Sequence, residues 1–359
     1  MKSFSCTCGN TTFFENTQCV ACGHELGWCP ACRNIVPLQP SPDGTFQCGF
    51  SECGAVLRKC HNYAVEQVCN RCIIANGGGG ELCDCCRFNE TIPDLSVPGN
   101  RAMWHRLESA TRRLLYTLDI LNLPYGTEED GVSPPLVFDF KADLAAQKRW
   151  WWQMGKEERV YTGHADGRIT INIREADPVE REKSRQHFEE AHRTIIGHFR
   201  HEIAHYYWQM LVEKQCEDAF VAVFGNHADP TYAQAQERYY RDGPLPDWNR
   251  RCVSAYASMH PWEDFAETFA TYLDIVSVLH TARSMDLSDE CDPLNAELTV
   301  MVTSYAKLGV VLNEMNRAMG LVDLVPEILV PPVVAKLQFI HDLVRSAGQN
   351  GPLPDGKNA

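Results

Sequence analysis

Fourteen of the chain's 17 cysteines fall before residue 87, and that crowding constrains the fold more than any other feature. Cysteines so close together either pair as disulfides or bind metal. Their spacing speaks for metal. Cys6-x-Cys8 with Cys19-x-x-Cys22 supplies four thiolates in two tight pairs, sufficient for one tetrahedral zinc. Cys29-x-x-Cys32 with Cys48-x4-Cys53 supplies a second set. Six cysteines compete for a third: Cys60, Cys69, Cys72, Cys83, Cys85 and Cys86. Spacing alone favours Cys69-x-x-Cys72 with Cys83-x-x-Cys86. The opening, MKSFSCTCGN, has cysteines where a secretion signal would carry an apolar stretch. A reducing cytoplasm is therefore the expected location, which again favours zinc over disulfides. The later Cys216, Cys252 and Cys291 have no partner spacing and read as buried thiols.

Residues 1–96 are expected to form one module of knuckles and short hairpins held by metal, since so little apolar material makes a poor core unaided. This stretch holds six Lys/Arg against nine Asp/Glu, and each zinc bound by four thiolates adds a formal charge of about −2. The whole chain carries a net −14. That balance disfavours nucleic acid and anionic membranes as partners. No apolar run approaches the roughly 18 residues that would suggest a membrane span.

From Asn100 the texture changes, and residues 97–359 are expected to form a second domain. Trp104, Leu107, Leu114, Leu115, Leu118 and Leu121 recur at helical intervals up to Pro124. Strands are expected at 133–140 and 168–174. The second alternates Ile169, Ile171 and Ile173 with polar residues. A long helix is expected from about Glu180 to Lys214, another after Pro261, and two more near 295–319 and 332–346. Strands followed mostly by helices give an α+β fold.

The chemistry concentrates in GHFRHEIAHYYW. His201 and His205 stand four apart, one helical turn, so both imidazoles reach the same metal ion. Glu202 lies between them, placed to act as general base on a metal-bound water. This is the zincin pattern, and it points to hydrolysis of a peptide bond. A catalytic zinc needs a third protein ligand, with water in the open position. HPWEDFAETFATYL offers Glu263 and Glu267, an i, i+4 pair on one helix face. One can bind zinc while the other accepts the Nδ1–H of a ligating histidine. Asp264 is the alternative ligand. Tyr256 and His260 are the candidate donors to the tetrahedral oxyanion. His198, one turn ahead of His201, is expected to support the site, whereas His192 has no partner at ligand spacing. An extended substrate would pair with a strand edge, for which the Ile169–Ile171–Ile173 strand is the expected choice.

Several long stretches carry a resemblance: FENTQCVACGHELG, CDCCRFNETIPDLS, WHRLESATRRLLYTL, GHADGRITIN, RTIIGHFRHEIAHYYW, HPWEDFAETFATYLDIV and AKLQFIHDLV. With them the chain resembles the bacterial family of zinc-binding metallopeptidases that carry an N-terminal zinc-ribbon domain. The resemblance covers nearly the whole chain. It implies a zinc-ribbon module followed by a mostly helical, zincin-like domain with a small sheet. It implies a catalytic zinc, structural zinc in the ribbon, and a peptide or protein substrate. The second cysteine set looks like an elaboration of the family pattern, so two to three structural zincs are expected. On that pattern the third set resembles Cys60, Cys69, Cys83 and Cys86, leaving Cys72 and Cys85 as departures. The carboxylate pair resembles the glutamate-zincin arrangement, which makes Glu263 the ligand and Glu267 the residue that orients a histidine. Tyr256 likewise resembles the tyrosine that some glutamate zincins place shortly before their ligand. A zinc-stapled adaptor without catalysis is the main rival reading, and an intact Glu202 argues against it.

Overall fold

A computed structural model of the chain describes residues 1–77, 80–143, 147–149, 152–154, 160, 162–181, 194–288, 291–326 and 329–350. The fold is α+β, with a cysteine-rich, stranded N-terminal region and a mostly helical remainder. The described residues of Lys2–Leu115 and Tyr125–Ile196 make one compact unit. Those of Tyr116–Pro124 and Gly197–Leu353, with Met1, make another.

In the first unit, a two-stranded ribbon, β1 (Phe4–Ser5) and β2 (Thr11–Thr12), precedes a five-stranded antiparallel sheet. That sheet runs in chain order through β3 (Leu26–Cys29), β4 (Asn34–Pro40), β5 (Phe46–Cys48), β6 (Val56–Lys59) and β7 (Cys72–Ile74). The module has more of a core than its composition suggests. Leu26, Trp28, Ile35, Val36, Leu38 and Leu57 are all buried on these strands. Phe4 and Phe14 meet the Trp28 ring edge-on, and the Arg71 guanidinium lies 4.9 Å from its centre. Four of these strands have three or four residues, and β4 buries the run 35–38 without alternation, so no period-2 signal marks the sheet in the sequence.

A second sheet takes β8 (Asn89–Thr91), β9 (Val137–Lys141), β12 (Gly163–Ala165) and β13 (Arg168–Asn172) in the order β12-β13-β9-β8. The short hairpin β10 (Gln147–Arg149) and β11 (Trp152–Met154) stands apart from it. Pairing between β13, β9 and β8 is parallel. Ile169 and Ile171 are buried on one face of β13 and Phe138 and Phe140 are buried on β9, as period-2 side-chain placement requires. The chain leaves the strand at Asn172 for a short turn of 3-10 helix, Ile173–Ala176.

The helices follow their apolar periodicity. The expected helix from Asn100 spans Asn100–Ile120, burying Trp104, Leu107, Leu114, Leu115 and Leu118. The helix expected at Glu180–Lys214 falls partly on residues 182–193, outside the described residues. Its described part is helical over Ile195–Tyr207 and then widens into a π turn, Trp208–Val212. Lys214, with φ +59°, lies beyond the end. In the second unit, the helix Pro261–Ser284 buries Phe265, Phe269, Tyr272, Leu273, Val276 and Leu279 along one stripe, each worth about 1.5–3 kcal/mol. Tyr207 stacks on Phe269 with ring centres 5.4 Å apart, joining this helix to the histidine helix. Helices Leu298–Ala318 and Pro331–Asn350 complete the packing, the latter through a Tyr272 hydroxyl–His341 Nδ1 contact of 3.1 Å.

Candidate metal centres

The cysteines gather into three fours: Cys6, Cys8, Cys19 and Cys22; Cys29, Cys32, Cys48 and Cys53; and Cys60, Cys69, Cys83 and Cys86. Tetrahedral zinc with Zn–S bonds of about 2.3 Å places sulfurs about 3.8 Å apart. Sulfur separations here are 3.6 Å for Cys6–Cys22 and 3.7 Å for Cys8–Cys19. They are 3.7 Å for Cys29–Cys53, 3.9 Å for Cys32–Cys48 and 3.8 Å for Cys69–Cys83. All are far beyond the 2.05 Å of a disulfide, and no cysteine is disulfide-bonded. Metal geometry explains these distances. The third four follows the family resemblance over the spacing argument, so Cys72 is corrected to a buried thiol outside it. Cys60 follows directly on β6, and the β6–β7 pairing, continued by the Cys60 N–H to the Arg71 carbonyl, brings it to Cys69, which sequence distance conceals. Backbone N–H groups of Arg71, Cys83 and Cys86 point at sulfurs of this group at 3.3–3.4 Å, as N–H donors do around thiolates. The fully buried Arg112 guanidinium faces Cys69 and Cys86 and offsets their charge.

The second unit holds the other cluster. One face of the Ile195–Tyr207 helix buries Phe199, Ile203, Tyr206 and Tyr207, which fixes the direction of His201 and His205. On the Pro261–Ser284 helix, Pro261 occupies the first position and the His260 Nδ1 accepts the Trp262 N–H at 3.1 Å, so Glu263 sits in a capped first turn. His201 Nε2 lies 3.1 Å from His205 Nε2 and 3.0 Å from Glu263 Oε2; His205 Nε2 to Glu263 Oε2 is 3.6 Å. Bonds of about 2.0–2.1 Å in a tetrahedron give ligand separations of about 3.3 Å.

The donor set fits a metal on chemical grounds as well. His201 Nδ1 meets Glu267 Oε1 at 2.7 Å, so the Nδ1 proton is held there and Nε2 presents a lone pair. Glu267 is itself held by the Ser254 hydroxyl, which donates to Oε2 at 2.7 Å. Glu263 Oε2 is buried and takes no well-directed hydrogen bond among the described residues. Lone pairs converging this closely repel unless positive charge sits among them. The electrostatics register that demand. Burial pushes the His201 imidazole down, but Glu263 and Glu267 carry it well above its usual range. Burial pushes Glu263 up, yet His201 and His205 hold its carboxyl well below the usual carboxylate range.

Around this centre, Trp262 stacks on His205 with ring centres 3.7 Å apart. Glu202 is buried on the histidine helix, and His198 is half-buried one turn earlier. Tyr256 opens a short turn, Tyr256–Ser258, with its ring 6.0 Å from that of His201. His260, the alternative oxyanion donor, has both ring nitrogens committed, Nδ1 to Trp262 and Nε2 to the His227 carbonyl at 3.0 Å. Asp264, the alternative ligand, is corrected to an ion-pair residue. Its Oδ2 accepts from Lys336 Nζ at 2.5 Å, and Lys336 also reaches the Arg251 carbonyl at 2.6 Å. The expected substrate strand is also corrected. Arg168–Asn172 is paired on both sides, by β12 and by β9, and Ile169, Ile171 and Ile173 are buried, so this is an interior strand. His192 lies outside the described residues.

One residue of the cluster escaped the sequence. The Tyr232 hydroxyl donates to Glu263 Oε1 at 2.8 Å. It sits at the start of helix Tyr232–Asp242, where Thr231 and Gln234 form a reciprocal cap. The cap was readable; the contact to Glu263, 31 residues away, was not.

Among the described residues, no helix is long and apolar enough to cross a membrane. Uncharacterized proteins of Mycobacterium bovis and of two Mycobacterium tuberculosis strains are similar to this chain. Each is 33% identical over 353 residues, covering 96% of this chain and 95% of the relative. No solved structure matches it. Residues 3–97 match a family model described as "zinc-ribbon domain". Residues 100–343 match one described as "Putative zinc-binding metallo-peptidase", and with more than half its length inside that match the chain belongs to this zinc-binding metallopeptidase family.

Proposed function

We propose that this protein is a zinc-dependent peptidase, with His201, His205 and Glu263 holding the catalytic zinc and Glu202 acting as general base. The observation that carries the reading is the triangle of Nε2, Nε2 and Oε2 atoms at 3.0–3.6 Å, with His201 already fixed by Glu267. When bound, zinc would acidify a water and polarise the scissile carbonyl. Glu202 takes the proton from the attacking water and passes it to the leaving amine. Glu267 holds His201 in the tautomer that presents Nε2. Tyr256, beside His201, donates to the oxyanion, and His198 supports the helix face that carries the ligands. The three cysteine groups hold structural zinc. Residues 1–96 act as a ribbon module and residues 97–359 as the catalytic domain, in the cytoplasm, on a peptide or protein substrate and without nucleic acid as partner.

Incubation of the zinc-replete protein with a peptide library, read by mass spectrometry, tests the reading. Cleavage should vanish with a zinc chelator and return with added zinc. Absence of cleavage across the library would favour a zinc-stapled adaptor.

A further inference from the structure

A zinc ligand of the carboxylate type can offer one oxygen or two, and the choice sets the coordination number the metal reaches. Glu263 could in principle offer both. Its Oε2 faces His201 and His205, whereas its Oε1 is taken by the Tyr232 hydroxyl at 2.8 Å. We infer that Tyr232 is a positioning residue that restricts Glu263 to one metal-binding oxygen and so limits the coordination number at this centre; this rests on the metal-centre reading above.

Tyr232 is built to hold its place. Its ring meets Trp262 edge-on at 5.6 Å and His260 edge-on at 5.4 Å. Trp262 stacks in turn on His205, so one indole braces both a metal-facing imidazole and the phenol behind the carboxylate. The helix carrying Tyr232 is tied to the segment ahead of Pro261 by Arg238, whose Nη2 donates to the Ser258 and Met259 carbonyls at 3.1 and 3.2 Å. Position and ring orientation are thus fixed from both ends. Hydrogen bonds to a ligating carboxylate tune the metal much as those to a ligating histidine do.

The test uses the full chain with its cysteine groups filled by zinc and cobalt(II) offered to the remaining site. With Tyr232 in place, one oxygen from Glu263 gives four-coordinate cobalt and strong visible absorption. Tyr232→Phe removes only the hydroxyl and frees Oε1. The visible absorption should then weaken severalfold as the coordination number rises, and metal affinity at this site should fall by about tenfold or more. Tyr256→Phe, which leaves the bond to Oε1 intact, should keep the wild-type spectrum. An unchanged spectrum and affinity in Tyr232→Phe would overturn the inference. Failure of the wild type to bind cobalt at all, with the cysteine groups full, would overturn the metal-centre reading and this inference with it.

Discussion

Glu267 touches no metal in the arrangement proposed here, yet it should govern metal affinity. It makes two short, charge-assisted hydrogen bonds in a half-buried setting, His201 Nδ1 to Oε1 and Ser254 Oγ to Oε2, both 2.7 Å. Glu267→Ala leaves the imidazole free to turn and to place its proton on Nε2, where it would compete with zinc. Loss of a carboxylate behind a ligating histidine typically weakens metal binding about 10- to 100-fold, or about 1.4–2.7 kcal/mol. Glu267→Gln keeps an oxygen that accepts from Nδ1–H, loses the charge and presents an NH2 to Ser254, whose hydroxyl can turn to accept it, so its loss should stay below about tenfold. Competition against a chromophoric chelator, with the cysteine groups kept full of zinc, measures both. Affinities of both variants equal to wild type, in proteins that melt normally, would refute the argument that Glu267 sets the tautomer of His201.

Lys336→Ala should destabilise the second unit by about 3–5 kcal/mol in denaturant melts, because it strands the buried Asp264 carboxylate; a loss under 1 kcal/mol contradicts this. Adding Asp264→Asn should recover part of it. Cys60→Ala should lower bound zinc by one equivalent per chain while Cys72→Ala leaves the count unchanged, as elemental analysis would read; the reverse order would restore the grouping that spacing favours. His341 carries a pH prediction. Burial, with Arg345 nearby, lowers its folded-state pKa. The unfolded chain therefore takes up the proton first. The stability contributed by neutral His341 is complete above the unfolded value of about 6.5 and declines as pH falls below it, by at most about 1.4 kcal/mol per pH unit. His341→Gln should flatten that acid slope, and a slope identical to wild type would exclude His341 as its source.

What the sequence disclosed and what it hid divide along chain distance. His201 and His205 were legible because helical geometry turns a spacing of four into one face. Glu263 and Glu267 were legible for the same reason, and the helix packing that unites the two pairs followed from the resemblance to glutamate zincins. The first two cysteine groups showed in their paired spacing. Cys60 did not, because a strand pairing delivers it, and neither did Tyr232, whose only signal was a cap. The interior position of Arg168–Asn172 was hidden too: alternating isoleucines report one buried face and say nothing about which strands lie at its edges.

The most direct test of the central claim compares wild type with Glu202→Gln on a peptide library at matched zinc content. The account predicts that wild type cleaves and that Glu202→Gln is slower by at least about 100-fold, with equal metal bound. Equal cleavage by the two proteins would contradict it.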